Sequence, residues 1–575
     1  MMKSIVKRLK LRQRLCMGVF SLLIVSTVIL PAFTFNTTRP VETRFVQHIE
    51  GFQPQTGIDD CSVSTKFISD DFLALPGFSS HLPLIVIDTR GQDIPIHRTW
   101  YHHEDGHSFM IPIPYIDPNI DSIIYFFDSG ERNRLTDTPT IISYADVRRR
   151  GNTSMVFEKA QIRVRLKTET DENNNISILG MAPHHLWILR SSILDSTLIR
   201  DYLAMTVAAE FMPFVPNMRF VEVFFREDEG YRYQGVYILF DHIRQGPDRI
   251  AISGAAARGE TSYIIRRDRY SLTRPILDTY ATRNRLSYGF FDVVFPRNEN
   301  LTDDFLRFIE QDISHIERIL YSDDPQVFLT YTNYIDVSSF VDYFLINEFF
   351  MNFDAGFHST YFYRDLGGLL HAGPVWDFDF AMDRYHRLPA RLHGISFSNA
   401  PWFDRLVRHD EFAMRLIRRY RELRRNYLCP NRIDAMICEI SEFLRPARQR
   451  DWKRWGHLYT STELLWTKQD IDPNNIPYLP LTPFESVIGD FNRQLSSSGY
   501  DPIMLRRRNY TFEQEIILLR YVLRTHGDAM LRALVLYLHD EAEITNASNI
   551  FVNSFHATAF VLVFISSIII LKRTM

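Results

Sequence analysis

Apolar and polar positions alternate through 161–167, where Ile162, Val164 and Leu166 interleave with Arg163, Arg165 and Lys167. A period of two places the first set on one face of a strand and the basic set on the other. The run 84–87 is instead continuously apolar and stops at the turn cluster 88–91, the pattern of a buried strand. Further strands are predicted at 109–113, 122–127, 219–225 and 235–240. The first of these form a small β module over 81–135, preceded by a stalk of mixed polarity at 36–80. A helix is predicted over 198–211, with Asp195 or Ser196 placed to cap it. Beyond residue 300 the spacing is mainly helical. Asp336 is positioned to cap a helix carrying Phe340 and Phe344, and 361–363 with 369–375 frame a hairpin around Gly367-Gly368. The arginines of 405–425 alternate with Leu406, Phe412, Leu416 and Leu423. That favours a solvated helix face over a site for acidic partners.

Both ends carry apolar runs. Six basic residues and no acid precede residue 15, and 15–35 holds no charge. This predicts a signal-anchor within 1–35, basic side in the cytoplasm, or a cleaved signal peptide, for which Leu30 is a poor match to the small-residue rule. The segment 551–571, followed by Lys572 and Arg573, is either a second spanning helix or the tail of a lipid-anchor signal. In either case 36–545 lies on the extracytoplasmic side. Six Asn-x-Ser/Thr sites, at Asn36, Asn152, Asn175, Asn300, Asn509 and Asn546, fit a glycoprotein. Of four cysteines, Cys429 and Cys438 are close enough in sequence for a local disulfide in an oxidising compartment; four buried thiols are the alternative.

At 575 residues the chain exceeds one compact core. The balance of 65 basic and 69 acidic residues, net −4, argues against a generic nucleic-acid binder.

No phosphate-loop motif, paired CxxC or Ser-centred elbow occurs. What remains is a set of separated pieces: Arg150-Gly151-Asn152, Lys159, Trp187, Asp195, Arg200, the Gly235-Val236-Tyr237 strand start, Asp354, and Trp376-Asp377-Phe378-Asp379. Phosphoryl transfer needs a lysine for the nucleotide phosphates, a carboxylate to orient the attacking hydroxyl, and another to hold a divalent cation. Lys159, Asp354 and Asp377 supply these types in the chain order that protein kinases use. Asp377-Phe378-Asp379 echoes the kinase Asp-Phe-Gly.

The pieces resemble the CotH kinase-like family of spore-coat and fungal surface proteins. The resemblance rests on RRRGNTS (148–154) with Lys159, WILRSSILDSTLIRDYLA (187–204), GVYILFDHI (235–243), STYFYRD (359–365) and GPVWDFDFAMD (373–383), and covers roughly 80–390. It implies an α+β, atypical protein-kinase-like fold of two lobes, 136–245 and a mainly helical 246–545. It further implies ATP with Mg or Mn, and phosphorylation of Ser/Thr on secreted or surface proteins. Carried over, Lys159 and Asp354 are the catalytic pair. Lys159, Arg150, Asn152 and Asp241 face the nucleotide, and Asp377 and Asp379 face the metal. Glu210 is a candidate ion-pair partner for Lys159. Departures at Ala160, Asp241 and Ser359 keep open a surface adhesin on a kinase-like scaffold, and transfer of nucleotide in place of phosphate uses the same residues and is a further alternative.

Overall fold

The computed structural model describes residues 46–50, 65–102, 108–130, 132–151, 153–254, 259–270, 274–287, 289–352, 354–382, 394–460 and 511–536. The apolar segments 15–35 and 551–571, Cys16, Cys61 and Asn152 lie outside them. No helix among the described residues is long and apolar enough to cross a membrane.

Seven strands close into a barrel: β1 (Leu84–Asp88), β2 (Ile120–Phe127), β3 (Ile141–Arg149), β4 (Ile162–Lys167), β5 (Leu186–Arg190), β6 (Met218–Glu227) and β7 (Gly230–Asp241). The order around it is β5-β7-β6-β1-β2-β3-β4, and β4 pairs back to β5. All neighbours are antiparallel except β1 and β6, which run parallel with Leu84 opposite Glu222. Ile85, Ile124, Val147, Val164, Trp187, Val223 and Leu239 fill one buried interior, as strict alternation in small barrels requires. The module expected at 81–135 is therefore no separate body: β1 and β2 share this barrel with the strands of 136–245. Nor are the described residues of 36–80 a free stalk. Ile68 and Phe78 are buried against Phe224 and Tyr233 of the barrel, and the Gln47 side chain bonds the Phe220 backbone in both directions at 2.6 and 3.1 Å.

The outer face of β5 to β7 packs on the helical half. Ile188, Phe220, Ile238 and Phe240 join one large core with Tyr202, Phe344, Phe362 and Trp376. The helix α1 (Arg200–Ala208) is shorter than predicted, and its N-terminal turn is bonded by Asp195, whose carboxylate accepts from Arg200 N at 2.8 Å. A second sheet has the order β9-β8-β10-β11, from β8 (Tyr263–Asp268), β9 (Phe290–Phe295), β10 (Thr360–Arg364) and β11 (Leu370–Ala372). The last two are the predicted hairpin. Asp336 caps α2 (Val337–Phe349) as expected, accepting from Ser339 N at 2.7 Å. The arginine-rich segment gives the amphipathic helix α3 (Asp410–Arg425), with Phe412, Leu416 and Leu423 buried.

Next comes α4 (Pro430–Thr460). Cys429 and Cys438 are both free thiols, which corrects the expected disulfide. Cys429 sits at the start of this helix, its carbonyl accepting from Ile433 N. Nine positions at ~1.5 Å each put the two cysteines roughly 13 Å apart, beyond the ~7 Å that a disulfide spans.

Candidate active site

Arg190 ends β5, an apolar strand buried along its whole length. Its guanidinium meets three carboxylates. Nε lies 2.5 Å from Asp201 of α1, and Nη2 contacts Asp377 and, at 2.9 Å, Asp379. The Asp201 contact lacks in-line hydrogen-bond geometry, since both Nε and the facing Asp201 oxygen stay without a hydrogen-bond partner. The other Asp201 oxygen accepts from Phe378 N at 2.7 Å and so pins the Asp377–Asp379 turn. Asp377 has φ +72°, a left-handed conformation that costs a non-glycine residue about 1–3 kcal/mol and tends to persist at functional sites.

Two buried acids, Asp201 and Asp379, and the half-buried Asp377 against one buried guanidinium leave excess negative charge. Burial pushes the Asp379 carboxyl well up, and the neighbouring Asp201 and Asp377 add to the rise against the pull of Arg190. Burial likewise raises Asp201 to about 6. Asp377 goes the other way. Burial works to raise it, yet Arg190, the Ser359 hydroxyl and Arg150 together hold it low. Arg150 approaches from the end of β3, bonding Gln161 at 3.0 Å. Its guanidinium and that of Arg190 lie 5.7 and 5.6 Å from the Trp376 ring. Burial first, then Arg190, lowers Arg150 to about 10.

Asp354 opens the turn after α2, where its carbonyl accepts from His358 N at 2.8 Å. That turn reaches the cluster at its far end: the Ser359 hydroxyl bonds Asp377, and His358 feels its charge. Ser359, the departure noted in sequence, thus serves as a support for Asp377.

Lys159 stands apart from these carboxylates. Its Nζ bonds Asp451 at 2.6 Å and the Tyr459 hydroxyl at 3.0 Å, both on α4, and lies 5.4 Å from the Tyr237 ring. Neither Lys159 nor Asp451 has an exposed side chain. The link to the cluster is electrostatic, through Asp195, which is felt at Lys159, Asp201 and Asp379. Asp451 also accepts from Val236 N at 2.7 Å. Glu210, the partner expected for Lys159, pairs with Arg432 at 2.9 Å instead. Asp241, at the end of β7, binds Asn217 N at 3.2 Å and Asn217 Nδ2 at 3.1 Å, the turn ahead of β6.

Sequence reasoning therefore missed Arg190, Asp201, Asp451 and Tyr459. A lone arginine inside an otherwise apolar strand is the signal for the first. Asp451 and Tyr459, eight apart on one helix face, signal the last two.

A divalent cation fits here in part. Asp377 and Asp379 offer the hard oxygen donors that Mg or Mn takes, and Mg commonly uses one or two carboxylates plus substrate phosphates. The proton burden on Asp379 marks negative charge that a cation would relieve. No group of three or more metal-ligating side chains is preassembled among the described residues.

A family model described as "CotH kinase protein" matches residues 147–471, more than half of the chain. Among curated proteins, none matches.

Proposed function

The chain belongs to the CotH kinase family, and on that premise we propose that it is an atypical kinase moving the γ-phosphoryl group of ATP to Ser/Thr of secreted or surface proteins. The observation that carries this is the convergence of Asp201, Asp377 and Asp379 on Arg190, with Arg150 alongside and the Asp354 turn tied in through Ser359. ATP with Mg or Mn supplies the transferable group and the charge neutralisation when bound. Asp377 and Asp379 hold the cation, and Asp201 fixes their turn through Phe378 N. Arg150 and Arg190 present positive charge where phosphate oxygens gather. Asp354 orients the substrate hydroxyl and takes its proton. Lys159 keeps a helix carboxylate as its partner, the relation that a kinase's nucleotide lysine has with its helix glutamate. The barrel acts as the smaller lobe and the helical half as the larger. The uncharged run at 15–35 behind a basic flank tethers the chain to a membrane, with the catalytic part outside the cytoplasm.

One observation favours the adhesin reading: Asp451, Tyr459 and Tyr237 enclose the Lys159 amine, leaving it no open side in this conformation. Melting the full chain with and without Mg-ATP separates the two. The kinase reading expects a metal-dependent rise that Asp377→Ala removes, because a ligand that binds only the folded state stabilises it. No rise at saturating Mg-ATP would leave the adhesin. The mass added to a substrate then tells phosphate from nucleotide transfer.

A further inference from the structure

A cavity of about 400 Å³ lies between the outer face of the barrel and the second sheet, lined by Arg148, Arg163, Arg165, Arg244, Arg274 and Arg297. Arg148 and Arg163 are cross-strand partners on β3 and β4, and Val293 and Val294 of β9 form part of the opposite wall. Three of the arginines have acidic partners: Arg165 with Asp146 and Asp171, Arg274 with Asp292, and Arg297 with Glu299. Arg148, Arg163 and Arg244 form no ion pair among the described residues, and the buried Arg244 Nε has no hydrogen-bond partner. Burial and then Arg163 lower Arg148 to about 10, and burial and then Arg297 lower Arg244 to about 9. Six arginines thus face a lining with one acid, Glu299, and three of them lack a salt-bridge partner among the described residues, in a chain whose net charge is −4.

Strand alternation connects the cavity to the candidate active site. Arg150 is two residues beyond Arg148. Arg190 is two beyond Ile188, which faces Arg163 across β4 and β5. The basic row therefore runs along one barrel face toward Asp377.

We propose that this cavity seats a phosphorylated segment of the protein substrate, with about two clustered phosphoserines against Arg148, Arg163 and Arg244. Each phosphoserine brings about −1.5 to −2 charges and planar arginine forks bind its oxygens, so about two balance three unpaired guanidiniums. The nucleotide is the poorer match, because its triphosphate arrives with much of its charge already met by a divalent cation, and the cavity's one acid, Glu299, offers that cation little. A segment held here lies in line with the carboxylate cluster, so modification near one serine favours modification of the next. The identity of the partner rests on the kinase reading; the cavity does not.

The test is binding of a synthetic peptide with two neighbouring phosphoserines to the full chain, beside its unphosphorylated form and Mg-ATP. The phosphorylated peptide is expected to bind at least ten-fold more tightly than its serine counterpart. An Arg163→Gln/Arg244→Gln variant is expected to lose that preference and keep Mg-ATP binding, while Asp377→Ala keeps the preference. Equal affinity for the two peptides overturns the proposal, and that comparison needs no variant. So does loss of Mg-ATP in place of the peptide in the arginine variant, or displacement of the peptide by an unrelated oligonucleotide. Peptide preference without any phosphate transfer would defeat the kinase reading and leave the cavity assignment standing; transfer without preference would do the reverse.

Discussion

Arg190 is the residue on which the site's electrostatics turn. Removing it by Arg190→Ala leaves the buried Asp201 and Asp379 and the half-buried Asp377 without their cation, and breaking a buried ion pair from one side costs about 3–5 kcal/mol. Urea unfolding at neutral pH should show a loss of that order, smaller for Arg190→Lys; a variant as stable as the parent would mean the acids are not held as described. Asp201 makes a second, pH-dependent expectation. Its carboxyl, ordinarily near 3.8, is pushed up to about 6, by burial first and by the nearby Asp377 against the pull of Arg190. The folded state therefore binds this proton more readily than the unfolded chain. The resulting stability is full below pH 4 and is lost as pH rises through 6, by up to about 3 kcal/mol. Asp201→Asn keeps an acceptor for Phe378 N and cannot titrate. Subtracting its stability curve from the parent's between pH 4 and 7 should recover that slope; superimposable curves would show that Asp201 does not titrate there. In sequence, Asp377 and Asp379 were legible because bulky Trp376 and Phe378 bracket them. Arg190 was marked only as a lone charge on an apolar strand and Asp201 by nothing local, since the Asp377–Asp379 turn that both engage lies roughly 180 residues on.

At the level of elements, the decisive contact is α4 against the middle of β7, beside the register shift in its pairing with β6. Gly235 has φ +108°, and a Cβ there would sit 2.4 Å from the Asp451 carboxylate and 2.9 Å from Trp455 Nε1. Those two groups bond Val236 N and the Gln234 carbonyl, each at 2.7 Å. Gly235→Ala is therefore expected to push the helix off its seat and to release the Lys159–Asp451 pair. A loss of about 2–4 kcal/mol is in the range for strained backbone plus a disturbed buried pair, read as a lower Tm and an earlier urea midpoint. An unchanged Tm would show that α4 can shift without cost. The alternation at 162–167 made β4 readable, and Asp336 made the start of α2 readable. The docking of α4 was not, because Lys159 finds its partner 292 positions on, and a helix's amphipathic spacing says which face is buried and not what covers it.

For the molecule as a whole, barrel closure sets what must be present for the site to exist. The family match begins at residue 147, yet β1, β2 and six of the nine residues of β3 precede it. β1 supplies the one parallel pairing, to β6, and β2 joins it to β3. A parallel pair between segments this far apart leaves no local trace, which is why the run 84–87 read as part of a separate module. A chain starting at 147 would expose the edges of β4 and β6 and remove six of the 18 buried residues that fill the barrel interior. Unpaired strand edges beside exposed apolar surface favour aggregation. Such a fragment is expected to be recovered as soluble aggregate or inclusion material, while one starting at residue 46 is expected to unfold in a single cooperative transition. Size-exclusion chromatography and thermal unfolding of the two compare them directly. If the shorter fragment were monomeric and cooperative, β1 and β2 would be dispensable, and Arg190, which leaves the barrel on β5, would owe its position to the helical half alone.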